Sequence, residues 1–338
     1  MSLYDSFCAA LNDARNVAAN GYLQLLAPYI KDIENASRTE STLADYCNKL
    51  TAIAQRKDFV LNGNLVAEFA QLFGEAHFAA LCYDRGISLS KIPEQKNIKT
   101  PDFCHSFLQK KLYFEVKTLS VVNGGRGIND YLSKSLDAQV DIERQLQQGK
   151  RIAIGVSEMQ PYAEKPYLAG IITAVISTLI EKGRQNIKSE QYSNQYTFLV
   201  INLCLIPPLI TDNRTLRPAY CDDYMFPKAI TGDLWMLAFA QPGMLVLGHP
   251  EFEGKPCIEG IIQKSGILSE SEYANISGLL CVVYPLGSKP CIYGLYRGAD
   301  YSKWMNENPE LITKLESLTG SNWNDDSDSN GWQCAGRE

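Results

Sequence analysis

Pro101-Asp102-Phe103-Cys104-His105-Ser106-Phe107 and the stretch Lys111-Leu112-Tyr113-Phe114-Glu115-Val116-Lys117-Thr118-Leu119 decide the reading of this chain. Side chains along a strand alternate between two faces. Leu112, Phe114 and Val116 therefore point one way, into a core, while Glu115 and Lys117 point the other way, side by side. The segment from Asp102 to Phe107 is extended and aromatic-rich, and the polar run Gln109-Lys110-Lys111 is where the chain is expected to turn. An antiparallel hairpin across that turn carries Asp102 back to the Glu115 end of its partner. Two carboxylates meeting at one point repel unless a cation neutralises them or one keeps its proton. Mg²⁺ suits such a pair, because it takes hard oxygen ligands, often one or two carboxylates together with substrate phosphate and water.

The flanking sequence supplies helices on either side. From Asn64 to Cys82, Leu65, Phe69, Leu72, Ala76 and Ala79 fall on one helical stripe, with Glu68 and Glu75 along its edge. Beyond the hairpin, Asn129 to Gln148 reads as a helix with Leu132, Leu136, Ile142 and Leu146 facing inward and Gln139 in their midst. Arg151-Ile152-Ala153-Ile154-Gly155-Val156 then reads as a strand.

In order and spacing, Asp102, Glu115 and Lys117 resemble the PD-(D/E)XK nuclease superfamily, across roughly Asn64 to Val156. The resemblance implies an α/β, restriction-endonuclease-like fold: a mixed central sheet flanked by helices, here with an N-terminal helical layer and a β-rich C-terminal extension. It implies Mg²⁺, with Mn²⁺ as substitute, held by Asp102, Glu115, the backbone carbonyl of Val116, and Glu75 directly or through water. Glu68 is the rival to Glu75. Lys117 would orient the attacking water and stabilise the phosphorane-like transition state as a point charge. In one branch of the superfamily a glutamine on the following helix reaches the active site, which draws in Gln139. The tyrosine that branch places one turn later is absent, and Glu143 stands there. The plain alternative is a solvated hairpin whose face carries alternating charges.

The chain has 338 residues, 45% of them hydrophobic, enough for one large or two modest cores. Its net charge of −6 argues against an autonomous tight DNA binder, which ordinarily presents a basic surface. Residues 85–151 run the other way, with 12 Lys and Arg against 7 Asp and Glu, a local +5 against −11 elsewhere. Phosphate contacts would need that excess, although solvated faces vary by as much. Arg126, in Gly124-Gly125-Arg126-Gly127, and Lys134 are the weaker candidates for contacting substrate. The ten cysteines show no Cys-x-x-Cys spacing, which disfavours zinc-ribbon and thioredoxin-like readings. Pairs such as His77 with Cys82, or Cys104 with His105, read as ordinary core and strand residues. With no signal peptide evident, reduced thiols in a cytoplasmic protein are expected. The most apolar run, Tyr167 to Ile180, is shorter than the roughly 20 residues of a membrane span and reads as a buried helix.

Four regions are expected. Residues 1–60 form a helical layer with Leu23, Leu26 and Ile30 in one run and Leu43, Tyr46, Leu50 and Ile53 in another. Pro28 kinks or ends the first run, and Ser41 or Thr42 caps the second. Residues 61–206 form the nuclease core, including the helix 167–184 and the buried strand Tyr196 to Ile206, ended by Pro207-Pro208. Residues 207–319 are a β-rich extension packed on that core, with strands around 245–247, 260–262, 279–283 and 291–296. Residues 320–338, rich in Asp, Ser, Asn and Gly, form a flexible acidic tail.

The function expected is metal-dependent hydrolysis of phosphodiesters, in DNA ahead of RNA, with restriction or antiviral defence as a setting by analogy. One alternative is a catalytically silent or partner-activated nucleic-acid-binding or scaffold protein of the same fold. Another is an RNA-directed nuclease. A protein partner or a homodimer is compatible with either, and no membrane is involved.

Overall fold

A computed structural model describes residues 1–12, 23, 26–93, 99–120, 124–155, 171–185, 187–205, 219–221, 228–230, 232–248, 257–285, 289–320 and 323–324. The chain divides into two compact units, each assembled from separate stretches. The first comprises Met1–Asp84, Ser120–Pro161 and Cys204–Ile206, and the second Arg85–Leu119, Tyr162–Leu203 and Pro207–Glu338. The protein is mixed α/β, and no helix among the described residues is long and apolar enough to cross a membrane.

The first unit is helical, with α1 (Leu3–Asn12), α2 (Ala27–Ala36), α3 (Ser41–Ala54), α4 (Gly63–Asp84) and α5 (Gly124–Gln147). Pro28 lies in the first turn of α2, where its missing N–H costs nothing, so it starts the helix rather than kinking or ending it. Glu40, not Ser41 or Thr42, is the residue capping α3, and no side chain bonds the helix end. α2, α3 and α5 all pack on α4. A helix surrounded in this way buries more than one stripe, so Phe73 through Cys82 are buried without interruption. Phe7, Phe59 and Phe69 close the core beneath it, with Phe7 stacked on Phe69 at 5.2 Å.

Helix α5 begins five residues before the expected start, because Gly124-Gly125-Arg126-Gly127 forms its first turn rather than a loop. Among its described side chains the expected inward stripe is not buried: Leu136 and Leu146 are exposed, together with Val140, and Ile142 is half-buried, while the Leu132 side chain lies outside the described residues. The strand expected at 151–156 is absent over its described residues, 151–155. Instead the chain folds back on α5, where the Gln145 amide donates to the Ile154 carbonyl at 2.9 Å and accepts from its N–H at 3.4 Å. Both backbone groups that a sheet neighbour would need are thereby engaged. A methyl group on Gly155 would stand 2.5 Å from the Ala138 carbonyl oxygen, so this close approach requires glycine.

The second unit is built on a six-stranded sheet. Its strands are β1 (Ser90–Lys91), β2 (Phe103–Phe107), β3 (Lys110–Ser120) and β4 (Thr197–Leu205), of which Ser120, Cys204 and Leu205 are counted with the first unit, then β9 (Gly278–Val283) and β10 (Cys291–Tyr296). Between β4 and β9 come two separate two-stranded sheets, β5 (Ala219–Cys221) with β6 (Lys228–Ile230), and β7 (Leu245–Gly248) with β8 (Cys257–Ile261). The main sheet runs β1-β2-β3-β4-β9-β10. β1 to β3 are antiparallel neighbours, β4 and β9 are parallel, and β9 and β10 antiparallel. Every residue of β4 and β9 is buried, as continuous apolar central strands require.

Helices α6 (Ile171–Arg184), α7 (Asp233–Phe239), α8 (Gly298–Glu307) and α9 (Pro309–Thr319) belong to this unit. Phe114, Phe198, Tyr296 and Trp304 pack as a run of rings 6.0–6.3 Å apart, tying α8 to the sheet face. Arg297 gives three hydrogen bonds to the carbonyls of Leu268, Ile276 and Tyr273. Trp323 and Asn324, within the expected tail, lie against β10, where the Asn324 side chain bonds both the N–H and the carbonyl of Tyr296. Residues 325–338 lie outside the described residues.

The β2–β3 turn is tighter than expected and is made by Leu108-Gln109 rather than 109–111. Leu108 holds φ at 50° and is 81% exposed. A leucine there pays for the left-handed backbone and gains no burial, whereas glycine enters that region freely. Leu108→Gly is therefore expected to raise stability by about 0.5–1 kcal/mol, read as an increased midpoint in chemical denaturation; a lowered midpoint would show that the turn needs leucine.

Candidate active site

The register of the hairpin determines which side chains meet. Phe103 pairs with Phe114 and Phe107 with Lys110. The pairing ends there, and Pro101 and Asp102 lie just outside the strand, with a bend at Asp102. Phe103 and Phe114 are fully buried, so Asp102, Glu115 and Lys117 share the other face of the sheet. The Val116 N–H donates to Asp102 Oδ2 at 2.8 Å. A strand residue in a hydrogen-bonded position turns its N–H and C=O to the same neighbour. The Val116 carbonyl therefore turns to the same side as its N–H, and proline at 101 has no N–H of its own to give. Pro101-Asp102 thus ends the ladder by substituting a carboxylate for a backbone acceptor and offering no backbone donor.

Around this point the side chains carry opposing charges. Lys91, from β1, pairs with Asp102 Oδ1 at 3.1 Å and lies over the Phe103 ring. Glu115 is only 9% exposed, and its Oε1 accepts a hydrogen bond from Gln191 Nε2 at 2.5 Å. Lys117 is half-buried and donates to the Gln185 carbonyl. Burial pushes the Lys117 ammonium down to about 8, against the pull of Glu115 and with the help of repulsion from Lys188. Tyr192 is held well above its ordinary value by burial and by the nearby Glu115 and Asp102 carboxylates, so its phenol keeps its proton. Lys188 and Gln185 are exposed. Glu115 thus sits deep and Asp102 half-buried, with an exposed cation at the rim.

The structure sets Asp102, Glu115 and Lys117 on one face of the sheet. The other candidates belong to the first unit. Glu75 is buried within α4 rather than set at the margin of a stripe, and its carboxylate accepts a hydrogen bond from the Tyr46 hydroxyl. Glu68 is exposed and Gln139 half-buried. The side chains of Arg126 and Lys134 lie outside the described residues. His77 stacks on Phe73, meets Tyr29 at a tilt and approaches Asp32 at 3.4 Å, in keeping with a core role. Lys91, Lys188, Gln191 and Tyr192 join the site without any sequence signal, since only the order β1-β2-β3-β4 brings them to the hairpin.

Among the described residues no three His, Cys, Asp or Glu side chains cluster as a metal cage. Mg²⁺ asks for less than that: one or two carboxylates suffice when water and phosphate complete its shell. Asp102, Glu115 and the Val116 carbonyl offer a donor set of that kind. Beside them, Gln191 Oε1 and the Tyr192 hydroxyl are buried with no hydrogen-bond partner among the described residues. Water or an ion can satisfy such atoms, and the residues present fit a hydrated divalent cation.

No protein-family model matches the chain, and no curated protein or solved structure matches it either.

Lys117 has a consequence for stability. Its pKa is lower in the fold than the ordinary 10.5, so folding works against the ammonium below pH 8, and that penalty fades as pH rises from about 8 to 10.5. Lys117→Met, in metal-free buffer, is expected to stabilise the protein by roughly 1–3 kcal/mol at pH 7. The advantage should shrink toward pH 10. Thermal melts across that range check both sign and trend; destabilisation at pH 7 would mean that Glu115 depends on this ammonium.

Proposed function

We propose that this protein is a metal-dependent nuclease of the restriction-endonuclease-like fold, hydrolysing phosphodiester bonds in DNA ahead of RNA. The observation that carries the reading is the meeting of Asp102, Glu115 and Lys117 on one sheet face, where the ladder ends at proline. Silent charges on a solvated strand would not be buried, and Glu115 is.

Asp102, Glu115 and the Val116 carbonyl would hold Mg²⁺ or Mn²⁺. Such an ion, when bound, lowers the pKa of water and offsets charge on the scissile phosphate. The Val116 N–H fixes the Asp102 carboxylate, and Gln191 fixes that of Glu115. Lys117, restrained by the Gln185 carbonyl, orients the attacking water and stabilises charge on the phosphoryl oxygens. Its lowered pKa lets it give up or take a proton near neutrality at smaller cost than an ordinary lysine. Lys188, exposed beside it, suits a phosphate of the polynucleotide backbone.

A second reading, a nuclease switched on or delivered by a partner, draws on the net charge of −6, which disfavours tight binding to DNA by the chain alone. It uses the same site.

The test is cleavage of supercoiled plasmid, linear duplex, single-stranded DNA and RNA with Mg²⁺ or Mn²⁺. Asp102→Ala, Glu115→Ala and Lys117→Ala should each lose roughly 10²–10⁴-fold in rate while remaining folded, and chelation by EDTA should stop cleavage. Metal-dependent cutting that survives in Lys117→Ala would remove that residue's role. A folded wild-type chain that cuts none of the four substrates would overturn the autonomous nuclease.

A further inference from the structure

Gln191 stands in the short turn Ser189–Tyr192 that leads into β4, the strand beside β3. Its backbone is anchored by a 3.0 Å hydrogen bond to the Lys188 carbonyl, and its side chain is buried. The amide meets Glu115 through Nε2. An amide nitrogen donates and a carboxylate oxygen accepts, so this contact sets Nε2 on Glu115. Oε1 is then left as the second heteroatom on the same carbon. That oxygen is buried with no hydrogen-bond partner among the described residues.

A glutamine needed only to brace Glu115 would do so at less cost with its oxygen solvated or bonded. Here the unsatisfied acceptor lies within reach of the carboxylate it braces. The neighbouring Tyr192 repeats the pattern with opposite polarity: a buried hydroxyl close to both Asp102 and Glu115, also without a partner among the described residues. One unfilled acceptor and one unfilled donor beside the same two carboxylates are what a cation and its bound water would engage. An amide oxygen is a hard, neutral ligand of the sort divalent cations take alongside carboxylates.

We propose that Gln191 completes the cation site, holding Glu115 through Nε2 and presenting Oε1 as a neutral third side-chain ligand to the divalent ion carried by Asp102 and Glu115. This rests on the metal-dependent reading of the site. It assigns to the turn before β4 a direct part in metal affinity, with Tyr192 as hydrogen-bond donor to a metal-bound water.

Calorimetric titration of the full chain with Mn²⁺, without nucleic acid, tests this independently of cleavage. Gln191→Met removes both heteroatoms at similar volume and should weaken Mn²⁺ binding about 10–100-fold. Gln191→Glu keeps an oxygen in place and should bind Mn²⁺ at least as tightly as the wild type. Wild-type affinity in Gln191→Met would overturn the proposal, and so would a Gln191→Glu protein as weak as Gln191→Met, since the oxygen would then contribute nothing. If Gln191→Met fails to fold, by circular dichroism, Gln191→Glu decides alone: tighter binding supports the ligand and weaker binding removes it. Should the wild type bind no Mn²⁺, or Glu115→Ala bind it equally well, the failure belongs to the metal-dependent reading itself.

Discussion

The hydrogen bond from the Val116 N–H to the Asp102 carboxylate is the contact on which the rest of the site depends. A regular hairpin would have continued its ladder past Phe103, pairing Val116 with a backbone carbonyl and leaving the two carboxylates as surface charges. Proline at 101 cannot donate to the ladder, and aspartate at 102 supplies the acceptor the ladder lacks. The two residues therefore end the pairing without leaving the Val116 N–H unsatisfied. In the same step they fix a carboxylate against the strand that carries Glu115. The dipeptide is a structural terminator and a chemical group at once, which is why so short a motif carries so much of the reading.

Around that terminator the charges are arranged at a cost. Burial works against the Lys117 ammonium more strongly than Glu115 favours it. Buried charge pairs seldom add stability relative to apolar residues of the same size. Asp102 has a lysine and a backbone donor, Glu115 a glutamine, and Lys117 a carbonyl. Each charge is restrained by a group from a different element: β1, β3, the turn before β4 and the end of α6. A protein that needed only a stable sheet would have apolar or neutral residues here. Sites that run against local stability while being held this closely are where function is expected to reside.

How much of this was legible in the sequence varies with the range of the interaction. The hairpin was legible because period-two alternation of Leu112, Phe114 and Val116 against Glu115 and Lys117 is local, and the structure buries the first set as that pattern requires. The central strands β4 and β9 were legible as continuous apolar runs. Helix α5 was found by its period, yet the face it buries was not, because Leu136 and Leu146 answer to neighbours that periodicity does not name. The strand at 151–156 failed for a related reason: an apolar run looks extended, but the Gln145 amide had already engaged Ile154. Gln191 was invisible because its partner Glu115 lies 76 residues away, and only the placing of β4 beside β3 joins them.

Glu75 shows the limit of reading acids as ligands. Its stripe position suggested an edge, but α4 is enclosed by α2, α3 and α5, so the carboxylate is buried whether or not it serves chemistry. A carboxylate in that setting must be hydrogen-bonded, and the Tyr46 hydroxyl supplies the bond. Asp102 and Glu115 differ in kind. Their hydrogen-bond donors hold them in place, yet beside them Gln191 Oε1 and the Tyr192 hydroxyl have no partner among the described residues. A buried acid with its bond made explains itself. Two acids on one sheet face beside unfilled donor and acceptor positions do not, and that difference separates a satisfied core carboxylate from the candidate catalytic pair.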